Sequence, residues 1–236
     1  MNIWIPALFA FLLGSIPFGL LIAKSQGINI REHGSGNIGA TNVLRIVGKP
    51  FGISCFVLDF FKGFIPSAVG LSLISYVGHQ HGISWGFLEP YATEFPAEQR
   101  STAQSFQLMV GLLAILGHNY SPWVGFKGGK GIATSAGVFC AFAPALIPVL
   151  VVVWLLFFLI TRYVSVASIA ASIALPVAVI YGSWYHGKIA NGTWNQPLFY
   201  FSIFIGLMAV YKHRSNIKNL MNGTEHKFTP KKKQPK

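Results

Sequence analysis

Two stretches of this chain decide what it can fold into. No residue is charged from Met1 to Ala23, and none from Ile132 to Thr161. A helix crosses the apolar core of a bilayer with about 20 apolar residues, so each stretch is long enough to span. Of the 236 residues, 53% are hydrophobic and 10% charged, against about 25% charged in a soluble domain. The pattern predicts an all-α polytopic membrane protein, with further spans at about 51–77, 105–120, 163–181 and 197–211. The first run has no basic residues ahead of it, which argues against a cleaved signal peptide. Cys55 and Cys140 are far apart in apolar stretches and suggest neither a disulfide framework nor a zinc site.

Charge sets the expected topology. If residues 24–50, with Arg31, Arg45 and Lys49, are cytoplasmic, then residues 78–104, with Glu89, Glu94 and Glu98, are outside. The loop carrying Lys127 and Lys130 is then inside. A single crossing by residues 132–161 would put the basic tail outside (Lys212, Arg214, Lys218, Lys227, Lys231, Lys232, Lys233 and Lys236), against the positive-inside rule. A hairpin bent at Pro144 and Pro148 returns Arg162 and the tail to the cytoplasm. The expectation is seven transmembrane helices, N-terminus outside and C-terminus cytoplasmic, with only Arg100 and Lys188 among the basic residues left outside. Residues 1–212 would form the transmembrane catalytic domain. Residues 213–236 would form a cytoplasmic motif and a basic tail, disordered after His226. The net charge of +12 then reflects topology and contact with anionic membrane lipids. No nucleic-acid-binding motif is present, so no nucleic-acid partner is expected.

Three polar patches fall on the cytoplasmic face. The first runs from His33 to Arg45 and includes Gly34, Ser35, Gly36, Asn37, Gly39, Thr41 and Asn42. Closely spaced glycines let backbone N–H groups approach an anion, and Arg45 can grip a phosphate with two hydrogen bonds. The second holds Gly117-His118-Asn119-Tyr120 and Phe126-Lys127-Gly128-Gly129-Lys130-Gly131. It looks like a P-loop, but Gly125 is one residue too close to Gly129-Lys130 and Gly131 stands where a magnesium-binding Ser or Thr belongs. A Gly-rich turn with two lysines ahead of a helix still reads as an anion site. The third runs from Tyr211 to Leu220, followed by Gly223-Thr224-Glu225; His213 and Asn216 are spaced to share a helix face. Smaller features are Ser165 and Ser168 after Arg162, and Asp59 with Lys62, an i, i+3 pair inside a span. Intramembrane ions mark a functional interior by default. Cations beside an apolar bundle suit a substrate with an anionic head and an apolar tail, and Ser35 and His213 offer groups that can move a proton in acyl transfer.

The patches HGSGNIGATNVLR, LDFFKG, GHNYSP with GFKGGKGIAT, RYVSVAS and HRSNIKNLMNGTE resemble, in order and over almost the whole chain, the bacterial membrane glycerol-3-phosphate acyltransferases that use acyl phosphate, the PlsY family. The resemblance implies transfer of a fatty acyl group from acyl phosphate to the 1-position of sn-glycerol 3-phosphate, giving lysophosphatidate and inorganic phosphate. It implies seven spans in the bacterial plasma (inner) membrane, with the active site on the cytoplasmic face. It places Ser35, His213 and Asn216 at the catalytic centre. Arg45, Lys130 and Ser168 fall where phosphate and glycerol phosphate bind. Lys127, Asn37, Thr41, Asn42, Gly34, Gly36, Gly39, Gly128, Gly129 and Gly131 fall in the surrounding cradles. No cofactor or metal is implied, and an enzyme that produces acyl phosphate is a candidate partner. The outer loop 78–104 and the segment 183–196 look longer than the family carries, and Lys218-Asn219 stand where the family often shows Asn-Arg.

Competing readings fit less well. Acyltransferases with an Asp five residues after a His are disfavoured, because Ile38, Trp123 and Lys218 stand at that spacing from His33, His118 and His213. An organic-phosphate transporter would place its polar residues at the midplane and would show repeats.

Overall fold

A computed structural model describes residues 3–78, 83 and 85–228. The first apolar run is broken: α1 (Trp4–Ser15) and α2 (Phe18–Ser25) meet across Ile16 and Pro17. Proline supplies no N–H and drives the residue before it out of helical geometry; Ile16 is extended. The carbonyls freed at such a break are costly in lipid. Here Ser121 Oγ donates to the Ser15 carbonyl at 2.6 Å, and Lys62 Nζ donates to that of Ile16 at 2.7 Å. The single span expected at the N-terminus is thus two helices, held at their junction by distant side chains.

α3 (Ala40–Ile46) leads into α4 (Lys49–Leu73). β1 (Ile74–Tyr76) follows and pairs in parallel with β2 (Thr93–Phe95), Ile74 opposite Thr93. α5 (Arg100–Asn119) starts beyond them. Arg100 donates to the Thr193 carbonyl, so the two long excursions, 78–104 and 183–196, meet at one end of the bundle.

The run 132–161 divides into α6 (Ile132–Phe142) and α7 (Leu146–Thr161), with Pro144 in the gap. A continuous helix would separate Ile132 from Phe158 by about 39 Å. Both instead line one cavity, so the run folds back on itself. α8 (Val164–Tyr185), α9 (Gln196–Lys212) and α10 (Arg214–Met221) complete the chain. His213 is the junction of α9 and α10, so it and Asn216 do not belong to one continuous helix as their spacing suggested.

α1 packs on α5, α4 on α6, and α8 on both α7 and α9. Ile115, Val138, Phe139, Leu175, Phe201 and Ile205 centre the main apolar cluster, drawn from α5, α6, α8 and α9. α7 is apolar throughout and has no buried residue, a surface suited to lipid rather than water. By length and composition, Trp4–Ser25 (taken across its break), Lys49–Leu73 and Val164–Tyr185 can cross a membrane; α6 and α7 are shorter apolar helices.

The expectation of a disordered segment after His226 is corrected for the next two residues. The Phe228 N–H donates to the Arg162 carbonyl at 2.8 Å, its ring meets that of Phe158, and Lys227 lies over Tyr163. The last four tail lysines lie outside the described residues.

Candidate active site

A cavity of about 490 Å³ opens where the three polar patches meet. From the first patch it is lined by Ser35, Asn37, Gly39, Thr41, Asn42 and Arg45. The turn before α6 adds Lys130 and Gly131, the start of α8 adds Ser165 and Ser168, and the C-terminal segment adds His213, Asn216 and Glu225. Ile53 and Phe56 of α4 and Trp154 and Phe158 of α7 form an apolar side. Ile53 and Phe56 are also exposed on the outer surface, so this side of the cavity runs on to the lipid-facing exterior. The N-termini of α6 and α8 both reach the cavity, and their free N–H groups and dipoles favour an anion there.

Lys130 donates to Asn216 Oδ1. Asn216 Nδ2 donates to Glu225 Oε1 at 2.8 Å, and Ser165 Oγ donates to the same oxygen at 2.7 Å. Burial pushes the Lys130 ammonium down to about 8; Arg45 and Lys212 push it the same way and Glu225 opposes them. Burial also pushes His213 down to about 4, with Lys130 adding to the effect, against the Ala209 carbonyl and Glu225. His213 Nδ1 lies 2.8 Å from the Ala209 carbonyl. A carbonyl only accepts, so Nδ1 carries the proton and Nε2 keeps its lone pair. Ser168 Oγ receives the Trp154 indole N–H at 3.2 Å. The Arg45 side chain makes no hydrogen bond among the described residues and lines the cavity with its guanidinium donors free.

Several residues expected at the site from the sequence make contacts within the loops themselves. Asn42 is buried; its Oδ1 accepts from the Ser35 N–H at 3.1 Å, and its Nδ2 donates to the carbonyls of His33 (3.0 Å) and Asn37 (2.9 Å). It shapes the first loop while touching the cavity wall. Gly34 and Gly36 sit in that loop, outside the lining. Gly128 and Gly129 also lie outside it, because they rest on the end of α5: a Cβ on Gly129 would stand 2.1 Å from His118 Nε2. Gly131 does line the cavity, at φ +82°, where it starts α6. Lys127 is exposed and outside the lining, and its carbonyl accepts from Arg31 at 2.7 Å. Its long side chain could project either way, and spacing alone favoured neither.

The sequence reading did not nominate Glu225, Trp154 or His118, all of which line the cavity. Glu225 had signals available: it closes the third patch, and it is the last acid in the chain, among basic residues. Among the described residues, no group of three His, Cys, Asp or Glu side chains could hold a metal ion.

The family model described as glycerol-3-phosphate acyltransferase matches residues 4–223. This chain belongs to that family. A glycerol-3-phosphate acyltransferase of Aquifex aeolicus is 39% identical over 221 residues, covering 94% of this chain and 96% of the relative. One from Geobacter sulfurreducens is 36% identical, covering 93% and 94%. The crystal structure of PlsY (YgiH), an integral membrane glycerol 3-phosphate acyltransferase, aligns in its glycerol 3-phosphate form with TM-score 0.76 and 36% identity. That alignment covers 97% of this chain and 96% of PlsY. The lysophosphatidic acid form aligns with TM-score 0.73. The chain is thus an integral membrane acyltransferase acting on glycerol-3-phosphate, an activity of phospholipid synthesis.

Proposed function

We propose that this acyltransferase takes its fatty acyl group from acyl phosphate and delivers it to the 1-hydroxyl of sn-glycerol 3-phosphate, releasing lysophosphatidate and inorganic phosphate. The observation that carries the reading is a single cavity with two cations, Arg45 and Lys130, two helix N-termini and an apolar side reaching the lipid surface. Two phosphates meet in this reaction, one on each substrate, and the cavity supplies positive groups for both. The acyl chain leaves past Ile53 and Phe56. In the membrane, the chain crosses seven times with the cavity at the cytoplasmic face of a bacterial inner membrane. The positive-inside bias and the meeting of the two outer excursions at one end support that arrangement.

The mechanism follows from the donor. Acyl phosphate is already activated, and phosphate is a good leaving group. Positioning and charge stabilisation then supply most of the rate. His213 is neutral at pH 7 with Nε2 free, so it can accept the hydroxyl proton once the substrate phosphates offset the Lys130 charge that depresses it. Ser35 and Asn216 orient the reacting groups. The hydroxyl oxygen attacks the acyl carbonyl, and phosphate departs with the bond's electron pair.

The test uses purified protein in detergent or lipid with glycerol-3-phosphate and either palmitoyl phosphate, following phosphate release, or palmitoyl-CoA as a parallel donor, following release of the free CoA thiol. Release is expected only with palmitoyl phosphate and glycerol-3-phosphate together. Arg45→Ala is expected to lower it at least about 100-fold, as loss of a charged donor at a reacting centre does. Turnover with palmitoyl-CoA alone would overturn the donor assignment.

A pH profile checks the role of Lys130. Its ammonium is present below about 8 and lost as pH rises through that value. kcat/KM for glycerol-3-phosphate should therefore fall on that alkaline limb. Lys130→Arg, whose guanidinium stays charged to above about pH 12, should abolish the limb even where its absolute rate is lower. An unchanged limb in that variant would assign it to another group.

A further inference from the structure

Asp59, Lys62 and His118 are 2%, 3% and 5% exposed, and the acyl-transfer chemistry above uses none of them. Charged groups inside an apolar bundle are expensive and need a reason. Lys62 Nζ stands 2.7 Å from Asp59 Oδ1 and donates to the Ile16 carbonyl at the α1–α2 break. Asp59 Oδ1 faces His118 Nδ1 at 3.6 Å. Both Asp59 and His118 reach the cavity wall. The other ring nitrogen of His118 lies directly beneath Gly129, too close for any side chain there. The Gly129 N–H donates to the His118 carbonyl at 3.1 Å. The next glycine repeats the arrangement: a Cβ on Gly131 would stand 2.8 Å from Asn119 Oδ1. Lys130 is the residue between these two glycines. Lys212 Nζ donates to the Asn119 carbonyl at 2.9 Å, fixing the same end of α5 from α9.

We propose that Asp59 and His118 are positioning residues that seat the turn carrying Lys130, through a buried chain from the Ile16 carbonyl by way of Lys62, Asp59 and His118 to Gly129. The chain ties the broken N-terminal helix to the cation that meets substrate phosphate. It touches no reacting atom itself. The inference rests on the acyl-transfer reading only in taking Lys130 as a phosphate contact.

The experiment compares wild type with Asp59→Asn/Lys62→Met and with His118→Gln, all purified in detergent. The first variant removes both members of the ion pair and leaves no unpaired buried charge, a change that membrane and soluble cores often tolerate. It also leaves net charge unchanged. Each variant is expected to keep a monodisperse profile while KM for glycerol-3-phosphate rises about 10-fold or more and KM for palmitoyl phosphate stays within about two-fold, the loss of one phosphate contact. The alkaline limb should also move up, because a loosened Lys130 becomes better hydrated while Glu225, Arg45 and Lys212 still face it. Wild-type kinetics in a folded variant would overturn the proposal. So would a uniform fall in kcat with both KM values and the pH limb unchanged, which is what a purely structural brace would produce. If Asp59→Asn/Lys62→Met does not fold, His118→Gln, which leaves the ion pair intact, decides by the same readings. Wild type without turnover on palmitoyl phosphate would instead count against the donor assignment. The seat of Lys130 is then read by calorimetric titration with glycerol-3-phosphate, where the variants should bind at least about 10-fold more weakly and equal binding would overturn the proposal.

Discussion

Lys130→Ala is expected to lower kcat/KM for glycerol-3-phosphate by about two to three orders of magnitude, the usual cost of deleting one preorganised donor at a reacting centre. Lys130 enters the cavity at the N-terminus of α6 and is held by Asn216. Its ammonium is partly desolvated, as its downward shift to about 8 records. A charge in such a place interacts more strongly with phosphate than a solvated one does. Alanine removes that charge and leaves Asn216 without its donor, while Glu225 remains to repel an incoming anion. With acyl phosphate as the proposed donor, the effect should appear in kcat as well as KM, because charge on the departing phosphate would grow towards the transition state. The check is steady-state phosphate release by protein with unchanged elution and melting behaviour. A loss of less than about ten-fold would show that Arg45 and the helix N-termini hold the phosphates without this lysine.

The second large effect concerns packing. Gly137→Ala should destabilise the bundle by about 2–3 kcal/mol, towards the upper end for overpacking a tight contact. The α4–α6 crossing is reciprocal: a Cβ on Gly137 would stand 2.0 Å from the Phe60 carbonyl oxygen, and one on Gly63 would stand 2.1 Å from that of Thr134. Backbone meets backbone at both points, so no side chain can swing aside to make room. In lipid, such close approach replaces much of the hydrophobic driving force between helices. α6 also continues from the turn that brings Lys130 to the cavity, so Gly137→Ala should lose turnover along with stability. Gly182→Ala in α8 is the control. Nothing lies within 4 Å of its Cβ position, so it should be neutral or slightly stabilising, up to about 1 kcal/mol. Thermal unfolding in one detergent measures both. Equal melting temperatures for the two variants would mean that the crossing yields more easily than its geometry implies.

The helical membrane class was legible in the chain itself, because hydropathy and charge bias act locally along the sequence. So was the division of residues 132–161. Pro144 falls in the gap between α6 and α7, whereas α4 and α8 run on through Pro66 and Pro176, so it was the distribution of lysines and arginines that pointed to a return at this proline. The grouping of the three patches was readable for the same reason, and the structure brings Ser35, Arg45, Lys130, Ser168, His213 and Asn216 to one cavity.

Other features depended on contacts between distant residues. Asn42 and Lys127 have the polar character of ligands. Only the fold shows that one organises a loop and that the other lies outside the lining. Glu225 reaches the site because the segment after α10 turns back along α8, as the Phe228–Arg162 bond records. The break at Pro17 is tolerable because Ser121 and Lys62 arrive from elsewhere to pair its carbonyls. Composition and charge therefore determined that this chain lies in a membrane and that its polar patches belong together. The tertiary structure alone decided which polar residues line the cavity and which hold the loops, because that choice depends on where side chains far apart in sequence come together.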